Sequence, residues 1–212
     1  VGIYRFRTLR QGDQGRQTRQ GHAGFLHAPD LFPLPVPQYR RELQPMRACA
    51  QIQFLGEETG LQQMNTDSYW ILDPVDGTTN LIHDYHHSVV SLALCQQNEI
   101  VLGIVYDPYH DEVFSAVKGE GSFLNGKPIH VSSAKKLSET IIGIGTAKRE
   151  LAKENFTRFL KVYENSQDIR RLGSAALELA YTACGRQGGY FEVYLNPWDY
   201  AAGILLVEAV SY

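Results

Sequence analysis

Residues 70–80 read WILDPVDGTTN: an apolar run that breaks into two aspartates, Asp73 and Asp76, and then into a glycine and two threonines. Tyr69 to Leu72 reads as a short buried strand. Pro74 lacks a backbone donor and restricts the residue before it, which predicts that the strand stops at Asp73-Pro74. The proline also rigidifies a turn that aims the Asp73 and Asp76 carboxylates and the Val75 carbonyl into one pocket at the strand's mouth. Hard oxygen donors on a rigid turn suit Mg²⁺. Gly77 and Thr78 then open a helix whose unpaired N–H groups form a cradle for phosphate, the glycine letting an anion approach the backbone. Taken alone, DPVDG is also a β-turn with its aspartates serving as caps.

Outward from this stretch, Ser88 to Cys95, Ile100 to Tyr106 and Glu112 to Val117 are β-branched or aromatic runs separated by QN, DP and KG turn signals, the pattern of an antiparallel meander. Asn125-Gly126 predicts a tight hairpin leading into a strand over Pro128 to Val131. After Lys135 the rhythm alternates. Strands are expected over Thr140 to Gly145, Ile169 to Leu172 and Tyr190 to Leu195. A helix is expected over Glu150 to Asn165 with Leu151, Phe156, Phe159, Leu160 and Tyr163 on its inner face. Ser174 is placed to cap a helix through Ala183, with Gly185 as its C-terminal glycine. From Trp198 a last helix carries the apolar run Ile204 to Val207, which needs packing on several sides and whose cover is expected to be missing.

The 212 residues, 43% of them hydrophobic, suffice for a sizeable core. A net charge of −3 is too small to argue for a nucleic acid or an acidic polymer as partner, and no nucleic-acid partner is expected. Three widely spaced cysteines suggest neither a disulfide framework nor a zinc site and fit a reducing cytosol, and no apolar stretch reaches the length of a membrane span. Residues 1–50 differ from the rest. They hold eight arginines and no lysine against three acids (8 − 3 = +5), whereas residues 51–212 hold twelve basic and twenty acidic side chains (12 − 20 = −8). The seam falls near Gln51 to Phe54. This basic, Gln- and Pro-rich arm reads either as a nucleic-acid tail with a polyproline stretch, LFPLPVPQ at 32–39, or as a segment foreign to the domain behind it; its lack of periodicity favours the second. Val1 in place of methionine is what a fragment shows. The expected division is 1–50 as the atypical segment, 51–135 as a metal-binding antiparallel α+β part, and 136–212 as a β/α part truncated at its C-terminus.

Three stretches in order, FLGEETG at 54–60, WILDPVDGTTNLIH at 70–83 and NPWDYAAG at 196–203, resemble the three signatures of the inositol monophosphatase family of Mg²⁺-dependent phosphatases. The resemblance spans residues 54–210 and takes in SFLNGKPIHVS and RRLGSAALELAYTACGR. It implies a layered αβαβα fold, an antiparallel sheet followed by a β/α part, with the N- and C-terminal elements incomplete. It assigns Glu57, Asp73, Asp76 and Asp199 as metal carboxylates, with the Val75 carbonyl completing a ligand set for two or three Mg²⁺ ions. Gly77 and Thr78 would hold phosphate oxygens. Water would be the nucleophile, oriented by Glu57 and the Thr78 hydroxyl, and a second ion held by Asp73, Asp76 and Asp199 would stabilise the leaving alkoxide. Asp76 is implied both in catalysis and in substrate binding, and Gly173, Ser174, Ala175 and Glu192 match residues that meet the hydroxyls of a polyol. For Asp199, beginning a helix and complementing its dipole is the plainer alternative; for Glu192, a solvent-facing strand position.

His83, His86 and His87 suggest a metal cluster, but the family uses oxygen ligands alone, so they are read as loop and packing residues. Cys95 and Cys184 are read as core. Arg170-Arg171 either attracts a phosphorylated substrate or ends a surface strand. Residues 1–50 show no counterpart of the helical pair and acidic segment that precede GEE in the family, and the layer following the WD motif is missing too. Exposed sheet faces are therefore expected. The implied activity is a cytoplasmic phosphomonoesterase acting on a small-molecule phosphate monoester, inositol monophosphate before fructose bisphosphate, a 3′-phosphonucleotide or histidinol phosphate, and the resemblance implies a homodimer. A non-catalytic remnant or binding protein of the same fold is the alternative.

Overall fold

The computed structural model describes residues 53–60, 66–146 and 149–210. The expectations placed on residues 1–50, LFPLPVPQ among them, lie outside the described residues. The first sheet has seven strands in sequence order: β1 (Gln53–Gly56), β2 (Ser68–Asp76), β3 (Val89–Gln96), β4 (Glu99–Asp107), β5 (Glu112–Val117), β6 (Gly121–Leu124) and β7 (Lys127–Pro128). β1 pairs with β2 in parallel, and every later pair is antiparallel. Gln97 and Asn98, both at positive φ, close the β3–β4 hairpin, and Asn125-Gly126 does the same for β6–β7. The expected meander is present.

The second sheet is parallel, in the order β10 (Gly189–Phe191), β8 (Ile141–Ile144), β9 (Asp168–Arg170). Four α-helices complete the described part: α1 (Thr78–Ile82), α2 (Ala152–Asn165), α3 (Ala175–Ala183) and α4 (Pro197–Glu208). α4 packs on the first sheet, α3 on α4 and on β10, and α2 on β9. The result is the expected layered α+β arrangement.

The inner face of the first sheet and the two central helices share one core, with Phe114, Leu177 and Leu206 fully buried. Each such side chain contributes about 1.5–3 kcal/mol relative to leaving it in water. Small residues let these layers approach closely. A methyl group at Gly103 would stand 2.8 Å from the Ala202 carbonyl oxygen, and one at Gly203 would run into Leu179.

Several expectations need correction. β2 continues through Pro74 to Asp76, because the β2–β3 register shifts between Asp73 and Asp76 and the missing proline donor falls in that bulge. β10 ends at Phe191 rather than Leu195, since its neighbour β8 ends at the paired Ile144. The strand after Asn125-Gly126 is Lys127–Pro128, and β9 stops at Arg170, so Arg171 and Leu172 belong to a loop. α2 buries Asn155 and Phe159 and leaves Phe156, Leu160 and Tyr163 exposed, because it leans on a narrow sheet and Phe159 meets Phe191 edge-on at 5.8 Å. The apolar run of α4 is covered after all: Leu205 and Leu206 are buried between the sheet and α3. On the sheet's other face Trp70, Leu92 and Leu94 are buried, against the expectation of exposure.

Candidate active site

β1 and β2 are parallel, so their carboxyl ends lie side by side, and the register Gly56↔Leu72 brings Glu57 level with Asp73. A tight turn holds Glu57 at its exposed tip: Thr59 and Gly60 N–H both donate to the Gly56 carbonyl. Asp73 lies in the bulge that ends β2, buried, with Val75 N–H donating to its Oδ1 at 2.9 Å. Asp76 is held from the second half of the molecule, where Ser174 Oγ and Ala176 N–H, at the start of α3, both donate to its Oδ2 at 2.7 Å. Ser174 Oγ also accepts from Leu177 N–H at 3.3 Å, so the predicted helix cap and the Asp76 anchor are one hydroxyl.

Asp199 arrives on α4. Its Oδ2 accepts from Asn196 N–H at 2.6 Å in a capping box, while Ser91 Oγ on β3 donates to the Trp198 carbonyl at 3.1 Å and fixes this helix start against the sheet. The capping alternative for Asp199 and its place among the acids are therefore both real. Gly77 takes a left-handed conformation, φ +90°, as the cap of α1, where a side chain would meet the His87 carbonyl at 2.8 Å. Thr78 is exposed, and its hydroxyl donates to the Val75 carbonyl at 3.1 Å.

Burial, followed by the charges of Glu57, Asp199 and Glu58, pushes Asp73 up to about 7, against the opposing pull of the Val75 N–H. Asp76 also rises to about 7, chiefly by burial; the Ser174 and Ala176 bonds oppose the rise, and the charges of Asp73 and Asp199 add to it. Asp199 is raised by burial first and by Glu57 last. Each of these acids thus feels others of the set, and they cannot all ionise at neutral pH without positive charge beside them. Among the described residues, no three His, Cys, Asp or Glu side chains stand close enough to make a closed cage for an ion. The donors are nonetheless oxygens only, desolvated and mutually repelling, and that donor set fits a hard divalent cation.

Beside the acids opens a cavity of about 260 Å³ lined by Asp76, Gly173, Ala175, Tyr190, Glu192 and Asp199, among others. It gathers residues predicted from three separate stretches of sequence. Glu192 stands just past β10, half-buried, rather than on a solvent face. Glu57, Asp73, Val75, Gly77 and Thr78 do not line this cavity, and Ser174 reaches it only through Asp76.

Other contributors, Asn80, Tyr190 and Glu178, were not predicted, and for Arg170-Arg171 the sequence left two roles open. Arg171 lines the cavity and donates from Nε to Thr146 Oγ1 at 3.1 Å, while Arg170 turns to Asp168. Asn80, the last letter of the opening stretch, donates to the carbonyls of His87 and Leu172 at 2.9 and 2.7 Å and so ties the α1 turn to the Gly173 loop. Glu178, buried, accepts from Leu172 N–H at 2.8 Å and supports that loop from below. The alternation IIGIG, over β8 and the residue after it, was the available signal: a glycine in or beside a strand marks a close approach, and Gly143 and Gly145 do face the Glu178 and Glu192 carboxylates. The histidines are local, His86 stacking on Tyr109 at 4.7 Å and His87 bonding the Tyr85 carbonyl.

Known proteins resemble this chain in sequence and fold. The chain is 44% identical over 175 residues to an inositol-1-monophosphatase of Rhizobium meliloti (80% of this chain, 64% of the relative). It is 42% identical over 171 residues to Nus factor SuhB of Xylella fastidiosa (78% of this chain, 61% of the relative). The chain therefore spans somewhat less than two thirds of the length of either relative. The solved structure of an inositol monophosphatase from Anabaena (Nostoc) sp. PCC 7120 superposes with a TM-score of 0.73 at 40% identity, covering 77% of this chain and 66% of that one. With a model of the family matching residues 44–211, the chain belongs to the inositol monophosphatase family.

Proposed function

We propose that this chain is a magnesium-dependent phosphomonoesterase that releases phosphate from a small polyol, inositol monophosphate foremost. The observation that carries the proposal is the set of mutually repelling carboxylates, Asp73 and Asp76 buried and Asp199 half-buried, beside a small cavity that Asp76, Asp199 and Glu192 line. Glu57, Asp73, Asp76, Asp199 and the Val75 carbonyl would hold the metal. Magnesium, when bound, supplies positive charge to the phosphoryl oxygens and acidifies water.

The chain's own groups do the rest. Gly77 and Thr78 N–H, at the open end of α1, receive phosphate oxygens. Glu57 and the Thr78 hydroxyl would orient the attacking water and Glu57 would take its proton; as the new P–O bond forms, the bond to the ester oxygen breaks, and the leaving alkoxide, beside the positive charge that Asp73, Asp76 and Asp199 would hold there, takes a proton from water. Gly173 and Ala175 shape the wall against which the alcohol lies, Ser174 holds Asp76 in place, and Glu192 accepts hydrogen bonds from the alcohol's hydroxyls. The cavity volume suits a single ring better than a dinucleotide. Fructose bisphosphate, a 3′-phosphonucleotide and histidinol phosphate are the competing substrates within this class. A cytoplasmic homodimer belongs to the same proposal, as do a domain seam near Gln51 and an N-terminal segment of different origin.

A second reading, a binding protein that keeps the cleft without turnover, draws on the X. fastidiosa relative, which carries the name of a Nus factor. One titration separates the two. Phosphate release from inositol monophosphate and from para-nitrophenyl phosphate is followed as magnesium is added, with the thermal midpoint in parallel. The enzyme shows metal-dependent release that Asp73→Asn reduces by a factor of at least about 100, the scale on which removing one group that stabilises transition-state charge acts. Magnesium-independent rates, or no release at any concentration, would rule the phosphatase reading out.

A further inference from the structure

Glu192 lies just past β10, whose last ladder pair is Phe191 with Ile144, and its carboxylate has a defined seat. Tyr190 OH donates to Glu192 Oε2, and both side chains rest on Gly145. A methyl group at position 145 would collide with Glu192 Oε2 and stand 2.6 Å from the Tyr190 oxygen. Two positions earlier, within β8, Gly143 leaves equivalent room for the Glu178 carboxylate and Gln187, whose Nε2 would lie 2.6 Å from a methyl there. β8 and the residue that follows it thus offer two carboxylate berths, of which the one at Gly145 lines the cavity.

From this geometry we infer that Tyr190 is a specificity-determining positioning residue, fixing the Glu192 carboxylate so that the cavity selects phosphate esters of polyhydroxylated alcohols over those of simple ones. The inference rests on the phosphatase reading and deepens it. An ionised carboxylate only accepts hydrogen bonds, so it recognises hydroxyl donors and repels a second anionic group on the substrate. Fixed at one angle by a charge-assisted bond, it discriminates by geometry; released, it loses rotamer entropy on each binding event. Burial and the neighbouring charges of Glu192, Glu178 and Asp76 keep the Tyr190 phenol protonated well above 10, so it remains a donor at any working pH.

The test uses the full 212-residue chain with magnesium. kcat/KM is measured for inositol monophosphate and for para-nitrophenyl phosphate, which has no alcohol hydroxyls, in the wild type, Tyr190→Phe, Glu192→Gln and the double variant. Tyr190→Phe should lower the ratio of the two values by roughly tenfold, the size of one hydrogen bond to a charged group. The effect should sit in KM for the inositol ester, and in the Glu192→Gln background the same change should add less than about twofold. An unchanged ratio in Tyr190→Phe, or full additivity in the double variant, overturns the inference while leaving the phosphatase reading intact. A wild type that hydrolyses neither ester defeats the underlying reading instead. Should Tyr190→Phe fold poorly, Gly145→Ala, which evicts the same carboxylate from the other side, must lower the ratio in the same direction, and an unaltered ratio there refutes the idea equally.

Discussion

Ser174→Ala tests whether the site and the fold share a fastening. The Ser174 side chain is 2% exposed and its oxygen makes two bonds at once, donating to Asp76 Oδ2 at 2.7 Å and accepting from Leu177 N–H at 3.3 Å. Losing a helix cap costs about 1 kcal/mol. Losing a hydrogen bond to a buried carboxylate costs about 1.5–3 kcal/mol. Ala176 N–H still donates to the same oxygen, so the carboxylate is not stranded and the sum is expected near 3 kcal/mol. For a chain of this size that corresponds to a thermal midpoint lower by about 6–12 °C. Urea unfolding without metal at about pH 8, where an Asp76 raised to about 7 is ionised, should show a lower midpoint at unchanged slope. Ser174→Thr, which restores the hydroxyl, should recover most of the loss. If the alanine variant loses under about 1 kcal/mol, or alanine and threonine are equally destabilising, the two bonds do not matter as argued and packing alone is responsible.

Gly143→Ala should destabilise by about 2–3 kcal/mol by thermal unfolding, the scale of overpacking, because its methyl group meets Glu178 Oε2 and Gln187 Nε2 with strand backbone behind it. Glu178→Gln should change the pH dependence of stability. Burial first, then the Glu192 charge, raises Glu178 from 4.5 to about 7, while Leu172 N–H, Gln187 and Arg171 pull the other way. The unfolded chain therefore ionises first, and wild-type stability attributable to this group is full below pH 4.5 and is lost as pH rises to about 7. Denaturation curves of the two proteins should diverge across that window by about 3 kcal/mol in favour of the glutamine variant, and parallel curves would show that Glu178 is not held protonated.

The second sheet and the α3 cap show how much was legible in the linear order. Ser174 and Gly185 bracket a helix that is where they place it, because caps and C-terminal glycines act through neighbours three or four residues away. The meander was legible for the same reason, through Gln97-Asn98 and Asn125-Gly126. What failed was non-local. Pro74 ends a strand by its own chemistry, but the partner β3 absorbs it in a bulge. Phe156, Leu160 and Tyr163 are apolar at helical spacing, but the narrow sheet beside them has room for Phe159 alone. Tyr190 carried no local sign that it borders the cavity, nor Asn80 that it ties two loops together, and for Arg171 a substrate-attracting role and a strand end stood equally open.

By itself the sequence determined which residues carry oxygen donors, where strands turn, where α3 and α4 begin, and, through three signatures in order, the family. Only the tertiary structure decided that Asp76 is held by Ser174 and Ala176, a hundred residues away, and that Glu192 faces a cavity instead of water. The division has one cause: turns and caps are set by bonds within a few residues of chain. A carboxylate's charge state and aim depend on which distant backbone amides, glycines and like charges the packed layers bring against it.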